Sequence, residues 1–155
     1  MIPLEGLEKV IFLDVDGVLN NGTWAQRMYK EEGVRVYAED LLEDRALRLL
    51  KLLVDETGAR IVISSAWRRI PTAYDNLITQ LHHHGIEVAD QTPYVGSERG
   101  DDITAWFSRH PNTERYVILD DDSDMGDHME HLVKTDFNTG LTREIVDRCI
   151  ALLND

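Results

Sequence analysis

The segment Lys9-Val-Ile-Phe-Leu-Asp14-Val-Asp16-Gly17 sets four apolar residues before a carboxylate, with a second carboxylate two positions on and a glycine after it. A short apolar run without polar alternation is the pattern of a parallel strand buried on both faces. Asp14 then marks the strand's C-terminal end, opening into a site. Two further segments have the same form. Arg60-Ile-Val-Ile-Ser64 runs on into Ser65, and Tyr116-Val-Ile-Leu-Asp120 runs on into Asp121.

Helical patterns separate these strands. Asp40 is placed to cap a helix reaching about Thr57, with Leu42, Ala46, Leu49, Leu50 and Leu53 on one face and Gly58 ending it. A second helix is expected from about Thr72, after Pro71, to Gly85, followed by a brief strand at Ile86 to Ala89. A third opens at Asp101 or Asp102, passes through Ile103, Trp106 and Phe107, and stops before Pro111. Leu132 to Lys134 reads as a last strand. Thr142 caps a C-terminal helix through Ile145, Val146, Cys149 and Leu152. Residues 17–39, with turn signals at Asn20-Asn21-Gly22 and Gly33, read as an irregular flap. Strands alternating with helices predict an α/β fold, a Rossmann-like three-layer sandwich around a mainly parallel sheet. No repeat, low-complexity tract or linker divides residues 1–155, so one domain is expected.

A formal net charge of −13 argues against a protein that holds long nucleic acid by general attraction, though not against a local site for one phosphate. No apolar segment approaches the roughly 20 residues that span a bilayer, so no membrane partner is expected. Met1 to Lys9 lacks a basic stretch followed by a long apolar run, and no signal peptide is expected. The single cysteine, Cys149, has no internal disulfide partner and falls in an apolar helical pattern. It suits a reducing compartment, and a cytoplasmic location is expected.

In an open parallel sheet the strand C-terminal ends converge on one crevice where ligands bind. Carboxylates gathered there repel one another, and a hard divalent cation relieves the conflict. Magnesium fits: it takes oxygen ligands and is commonly held by one or two carboxylates plus a substrate phosphate oxygen. Asp14 can then attack phosphorus to give an aspartyl-phosphate, and Asp16 can protonate the leaving oxygen and activate water for the second step. Ser64 can donate a hydrogen bond to a phosphoryl oxygen, and Arg99 is the candidate cation beside it. The competing reading of Asp120-Asp-Asp-Ser-Asp124 as a calcium loop lacks the regular EF-hand spacing and its Glu at the twelfth position. His82-His-His84 is read as structural, because adjacent side chains on a helix diverge and a helix C-terminus favours histidine.

Ile11-Phe-Leu-Asp14-Val-Asp16-Gly-Val18 resembles the first motif of the haloacid dehalogenase (HAD) superfamily of phosphatases. Val62-Ile-Ser64 is similar to its second motif, Arg99 to its Lys/Arg third, and Val117-Ile-Leu-Asp120-Asp121 to its acidic fourth. More narrowly, Ser64-Ser-Ala-Trp-Arg68, the Arg99-to-Trp106 segment and Thr135-Asp-Phe-Asn-Thr-Gly-Leu141 resemble a small HAD group associated with RNA-repair proteins. The resemblance implies Asp14 as nucleophile and metal ligand. It makes Asp16 the acid/base, with its backbone carbonyl on the metal, and has Asp120 or Asp121 complete a Mg2+ shell. Either Ser64 or Ser65 supplies the second-motif hydroxyl. An arginine at the third motif binds oxygen as a fork where the more usual lysine is a point charge.

Members of this superfamily commonly carry a cap domain after the first motif or between the second and third. Neither gap here has room for a folded domain of the usual size, so a capless site is expected, and such open sites often serve phosphates on macromolecules. Ser65, Arg68, Arg27 and Trp24 are the candidate substrate contacts. Arg68 and Arg69 are equally readable as surface charges; Trp24, Arg27, Tyr29 and Lys30 read first as a flap packed on itself, with a stacking and phosphate-contact surface as the alternative. The expected function is Mg2+-dependent phosphomonoester hydrolysis, with a nucleic-acid end, 3′ or 5′, as the expected substrate. The alternatives are a small-metabolite phosphatase and a metal-binding partner domain without turnover.

Overall fold

The computed structural model describes residues 9–155. The reading of the N-terminus as free of a signal peptide therefore falls outside the described residues, Lys9 excepted. Five strands form: β1 (Lys9–Leu13), β2 (Arg60–Ile63), β3 (Val88–Gln91), β4 (Arg115–Asp120) and β5 (Leu132–Lys134). They make one all-parallel sheet of order β3-β2-β1-β4-β5. Among the described residues five α-helices accompany them: α1 (Gly22–Glu32), α2 (Asp44–Thr57), α3 (Pro71–His83), α4 (Arg99–Arg109) and α5 (Arg143–Asn154). The chain is an α/β, HAD-like Rossmann-type fold. Among the described residues no folded insertion domain lies between the strands.

The sheet alternates as a strand must, with successive side chains on opposite faces. Ile11 and Leu13 of β1, Ile61 and Ile63 of β2, and Val117 and Leu119 of β4 pack under α2, α3 and α5. Val10, Phe12, Val62 and Ile118 turn the other way, onto Ile103 and Trp106 of α4. There Phe12 meets the Trp106 ring edge-on at 5.2 Å. Both faces are buried, which is why the strands read as unbroken apolar runs. Cys149 is buried in the first of these cores. Among the described residues no helix is long and apolar enough to cross a membrane.

Residues 17–39, expected to be irregular, carry the 11-residue α1. The Asn-Asn-Gly turn signal is its N-cap: Asn21 is extended and its side chain accepts from the Trp24 N–H at 2.8 Å. Trp24 is the only buried residue of α1, so no apolar stripe announced the helix. The start of α2 also moves. Asp40 sits at φ +54°, where an N-cap needs extended backbone, and the helix begins at Asp44 after Glu43. α4 begins at Arg99, ahead of either expected aspartate, and Asp101 and Asp102 fill its first turn. β3 lies at Val88–Gln91, slightly later than expected, and as an edge strand it is only partly buried.

Candidate active site

The strand order reverses at β1: β2 and β3 continue to one side, β4 and β5 to the other. The crevice outside the strand ends at such a switch point is where ligands bind in open α/β sheets. Register brings the motifs level there, since Leu13 pairs with both Ile63 and Leu119. The ladder runs one residue further, with Asp14 N–H donating to the Leu119 carbonyl and Ser64 N–H to the Leu13 carbonyl, each at 3.0 Å. Asp14, Ser64 and Asp120 continue the alternation of Phe12, Val62 and Ile118, and so share the face covered by α4.

That is the face on which Arg99 opens α4. A cation at a helix N-terminus is disfavoured by the helix dipole, and three aspartates offset it here. Arg99 Nη1 donates to Asp14 Oδ1 at 3.0 Å and to Asp120 Oδ2 at 2.9 Å, while Asp124 Oδ2 accepts from the Arg99 backbone N–H at 3.1 Å. Gly100 is seated against the Met125 backbone, where a Cβ has no room, and its N–H donates to the Asp124 carbonyl at 2.9 Å. The close approach fixes where the guanidinium points. Burial works against its charge, but Asp14 and Asp120 outweigh burial and hold the Arg99 pKa above its ordinary value.

Oxygen atoms of Asp14, Asp120 and Asp121 lie within 4.8 Å of one another. Burial raises the pKa of all three. For Asp120, burial and then the neighbouring Asp14 charge overcome Arg99 and push it up to about 8. Asp14 and Asp120, both buried, share one guanidinium, and partly buried Asp121 lies beside them, so carboxylates outnumber the cation. This oxygen-only, anionic donor set fits a divalent metal ion. Gly17 adopts φ +82°, and a Cβ there would run into the Asp121 carboxylate, so only glycine lets that carboxylate lie against the loop after Asp14.

Asp16 stands at the exposed rim. Asn20 Nδ2 donates to its Oδ1 at 2.8 Å, and the indole N–H of Trp67 donates to both its oxygens at 3.3 Å. Neither residue was singled out from the sequence as a partner of Asp16. The two serines separate by their partners. Ser65 Oγ accepts from the Trp67 N–H at 3.1 Å and caps the short helix Ala66–Arg69. Ser64 Oγ is buried with no hydrogen-bond partner among the described residues. An unpaired buried hydroxyl is costly unless a ligand oxygen meets it, and this one lies on the face shared with Asp14 and Asp120.

A family model described as the HAD domain in Swiss Army Knife RNA repair proteins matches residues 10–146, from β1 into α5. The chain belongs to this family. No curated protein and no solved structure matches it closely enough to be called a relative. The HAD assignment, with the aspartate trio, carries a hydrolase of the phosphatase type and a divalent metal in general terms.

The expected substrate contacts are dispersed around this HAD site. The Arg68 side chain is only 2% exposed and internally bonded. Nε donates to the Ser65 carbonyl at 2.7 Å, Nη1 to the Thr92 carbonyl and hydroxyl, and Nη2 to Asp102 Oδ2 at 3.2 Å. Its bonds tie the segment after β2 to the loop before α4, and most of its donors are spent inside the protein. Trp24 is buried, and together with exposed Arg27 it lines a cleft of about 300 Å3 with Glu43, Arg45 and Asn138. Tyr29 belongs to a different cleft, of about 410 Å3, with Val34, Arg35 and Tyr37. Trp24 and Arg27 thus share one cleft and Tyr29 lines another.

Proposed function

We propose that this protein, as one capless domain over residues 1–155, is a Mg2+-dependent phosphomonoesterase that works through an aspartyl-phosphate on Asp14 and acts on a nucleic-acid end. The observation that carries the reading is the Arg99 guanidinium bridging Asp14 and Asp120 with Asp16 held at the rim. A carboxylate oxygen of Asp14 attacks phosphorus as the bond to the leaving oxygen breaks, and protonated Asp16 gives that oxygen its proton. Asp16, now ionised, takes a proton from water. The resulting hydroxide attacks phosphorus, freeing Asp14 and inorganic phosphate. Ser64 Oγ and Arg99 are placed to meet the phosphoryl oxygens.

Mg2+, held by Asp14, Asp120 and Asp121 and by the Asp16 backbone carbonyl, would supply neutralisation of the phosphoryl charge. The open rim and the RNA-repair family support a macromolecular phosphate over a small metabolite. A buried Cys149 thiol, its pKa pushed up to about 12 by burial, is inert and suits a cytoplasmic location. The test is phosphate release with Mg2+ from 3′- and 5′-phosphorylated oligonucleotides and from small phosphoesters. Activity is expected on an oligonucleotide end and is expected to disappear in Asp14→Asn and in excess chelator. Faster turnover of sugar phosphates or nucleotides would move the substrate to small metabolites, and turnover by Asp14→Asn would sink the nucleophile.

A further inference from the structure

Two half-exposed aromatic rings stand at the mouth of this site with no part in the chemistry above. Tyr37 and Phe137, 41% and 47% exposed, lie nearly parallel at 15° with ring centroids 6.3 Å apart. Both are held by framed backbone. Buried Val36 anchors Tyr37, and the Val36 carbonyl accepts from the Leu41 N–H at 2.9 Å. The Phe137 carbonyl accepts from Gly22 N–H at 2.9 Å, next to the cap of α1. Their place beside the site follows from the loop that carries Phe137. Thr135 Oγ1 donates to the Gly17 carbonyl at 2.7 Å, and Gly17 packs on the Asp121 carboxylate. The Tyr37 hydroxyl is near enough to Asp16 and Asp121 that their charges, after burial, raise its pKa.

A phosphate lodged against Asp14 must trail the rest of its molecule over the exposed rim at Asp16. What that molecule meets at the Asp16 edge is acidic. Asp16, Asp122 and Asp136 are all exposed, and the chain carries net charge −13. Further phosphates along a strand would be repelled by these carboxylates, so affinity beyond the terminal phosphate is best served by an uncharged contact. Aromatic stacking supplies one, worth about 1–3 kcal/mol per base and indifferent to base identity. We propose that Tyr37 and Phe137 form a stacking platform for the nucleobase of the unpaired terminal nucleotide whose phosphate enters the Asp14 site; this rests on the nucleic-acid-end reading above. Recognition is then confined to one nucleotide. It is tolerant of sequence, and it weakens little with added salt.

The probe is a short single-stranded RNA with 2-aminopurine as its phosphorylated terminal nucleotide, made in 3′- and 5′-phosphate forms. Its fluorescence is expected to be quenched on binding to Asp14→Asn protein with Mg2+. Quenching is expected to be lost when Tyr37→Ala or Phe137→Ala is added, and kept with Tyr37→Phe, because the ring and not the hydroxyl does the stacking. In the turnover arm, kcat/KM for the base-bearing RNA over the same RNA with an abasic terminus is expected to fall about tenfold in Tyr37→Ala. Absence of quenching, or an unchanged ratio in both alanine variants, would overturn the platform. The catalytic reading fails separately. Turnover by Asp14→Asn removes the nucleophile, while quenching still decides the platform.

Discussion

The indole N–H of Trp67 donates to both carboxylate oxygens of Asp16, at 3.3 Å each, from a ring that is itself almost wholly buried. The ring reaches Asp16 because Ser65 caps the short helix that Trp67 stands on, directly after β2. On the proposed acid/base role of Asp16, Trp67 is a positioning residue: packed on one side, it fixes the rotamer of a carboxylate at the exposed rim.

Trp67→Phe keeps most of the ring volume and removes the donor. Asn20 Nδ2 remains on Asp16 Oδ1, so orientation is loosened but not abolished. A drop in kcat of roughly tenfold to a hundredfold is expected, with KM nearly unchanged, since small misplacements of a reacting group cost rates of that order. Steady-state kinetics beside a thermal melt checks it. A change confined to stability or KM would remove the positioning role.

Gly17 links backbone conformation to the candidate metal site of Asp14, Asp120 and Asp121. Alanine there meets two penalties, a left-handed φ of +82° and collision with the Asp121 carboxylate. Gly33, at φ +68° with open space around it, carries the first penalty alone. Gly33→Ala is expected to cost about 1 kcal/mol of stability and nothing in Mg2+ affinity. Gly17→Ala is expected to weaken Mg2+ at least tenfold by calorimetry, in line with the usual cost of disturbing a ligand's support. Equal Mg2+ affinity in the two variants would contradict the arrangement.

Arg68 and Asp102 form an ion pair whose side chains are 2% and 4% exposed. Asp102 Oδ1 also accepts from the Val95 N–H at 2.9 Å, so the pair knits the loop ahead of Arg99 to the end of β2. Removing one member leaves a buried charge without a partner. Arg68→Ala is expected to destabilise the fold by about 3–5 kcal/mol in urea denaturation. A substrate-binding arginine would instead raise KM and leave the urea midpoint in place.

Strand content was legible because burial on both faces writes itself as unbroken apolar runs, and Leu13, Ile63 and Leu119 pair in the register that levels the motifs. The Asp14 strand, the Asp120 strand and Arg99 meet as the alternating faces of the sheet require. What the sequence hid depends on contact. α1 buries only Trp24 and shows no stripe, and the grip of Trp67 on Asp16 spans 51 positions in the chain. Arg68 looks like a surface charge or a phosphate ligand in one dimension; only the neighbouring Thr92 and Asp102 make it internal. Ser64 and Ser65 cannot be told apart by type, and are separated here by which hydroxyl already has a partner.

The surplus of carboxylates makes stability depend on pH in the direction opposite to the usual paired aspartate. Asp120 has an ordinary pKa of 3.8 and is pushed up to about 8 in the fold, by burial first and Asp14 second. Between those values the folded protein holds a proton that the unfolded chain has released. Raising pH therefore favours unfolding, and stability present below about 4 is lost progressively towards 8. Metal-free protein in chelator is expected to melt lower at pH 8 than at pH 5.5. Asp120→Asn is expected to flatten that slope, because the titrating group is gone while its shape and the buried contact to Arg99 are largely kept. Saturating Mg2+ is expected to reverse the slope in the wild type, since it binds the ionised carboxylates that high pH supplies. A melting temperature that falls as steeply in Asp120→Asn as in the wild type would assign the effect to general repulsion in a chain of net charge −13, and not to the site.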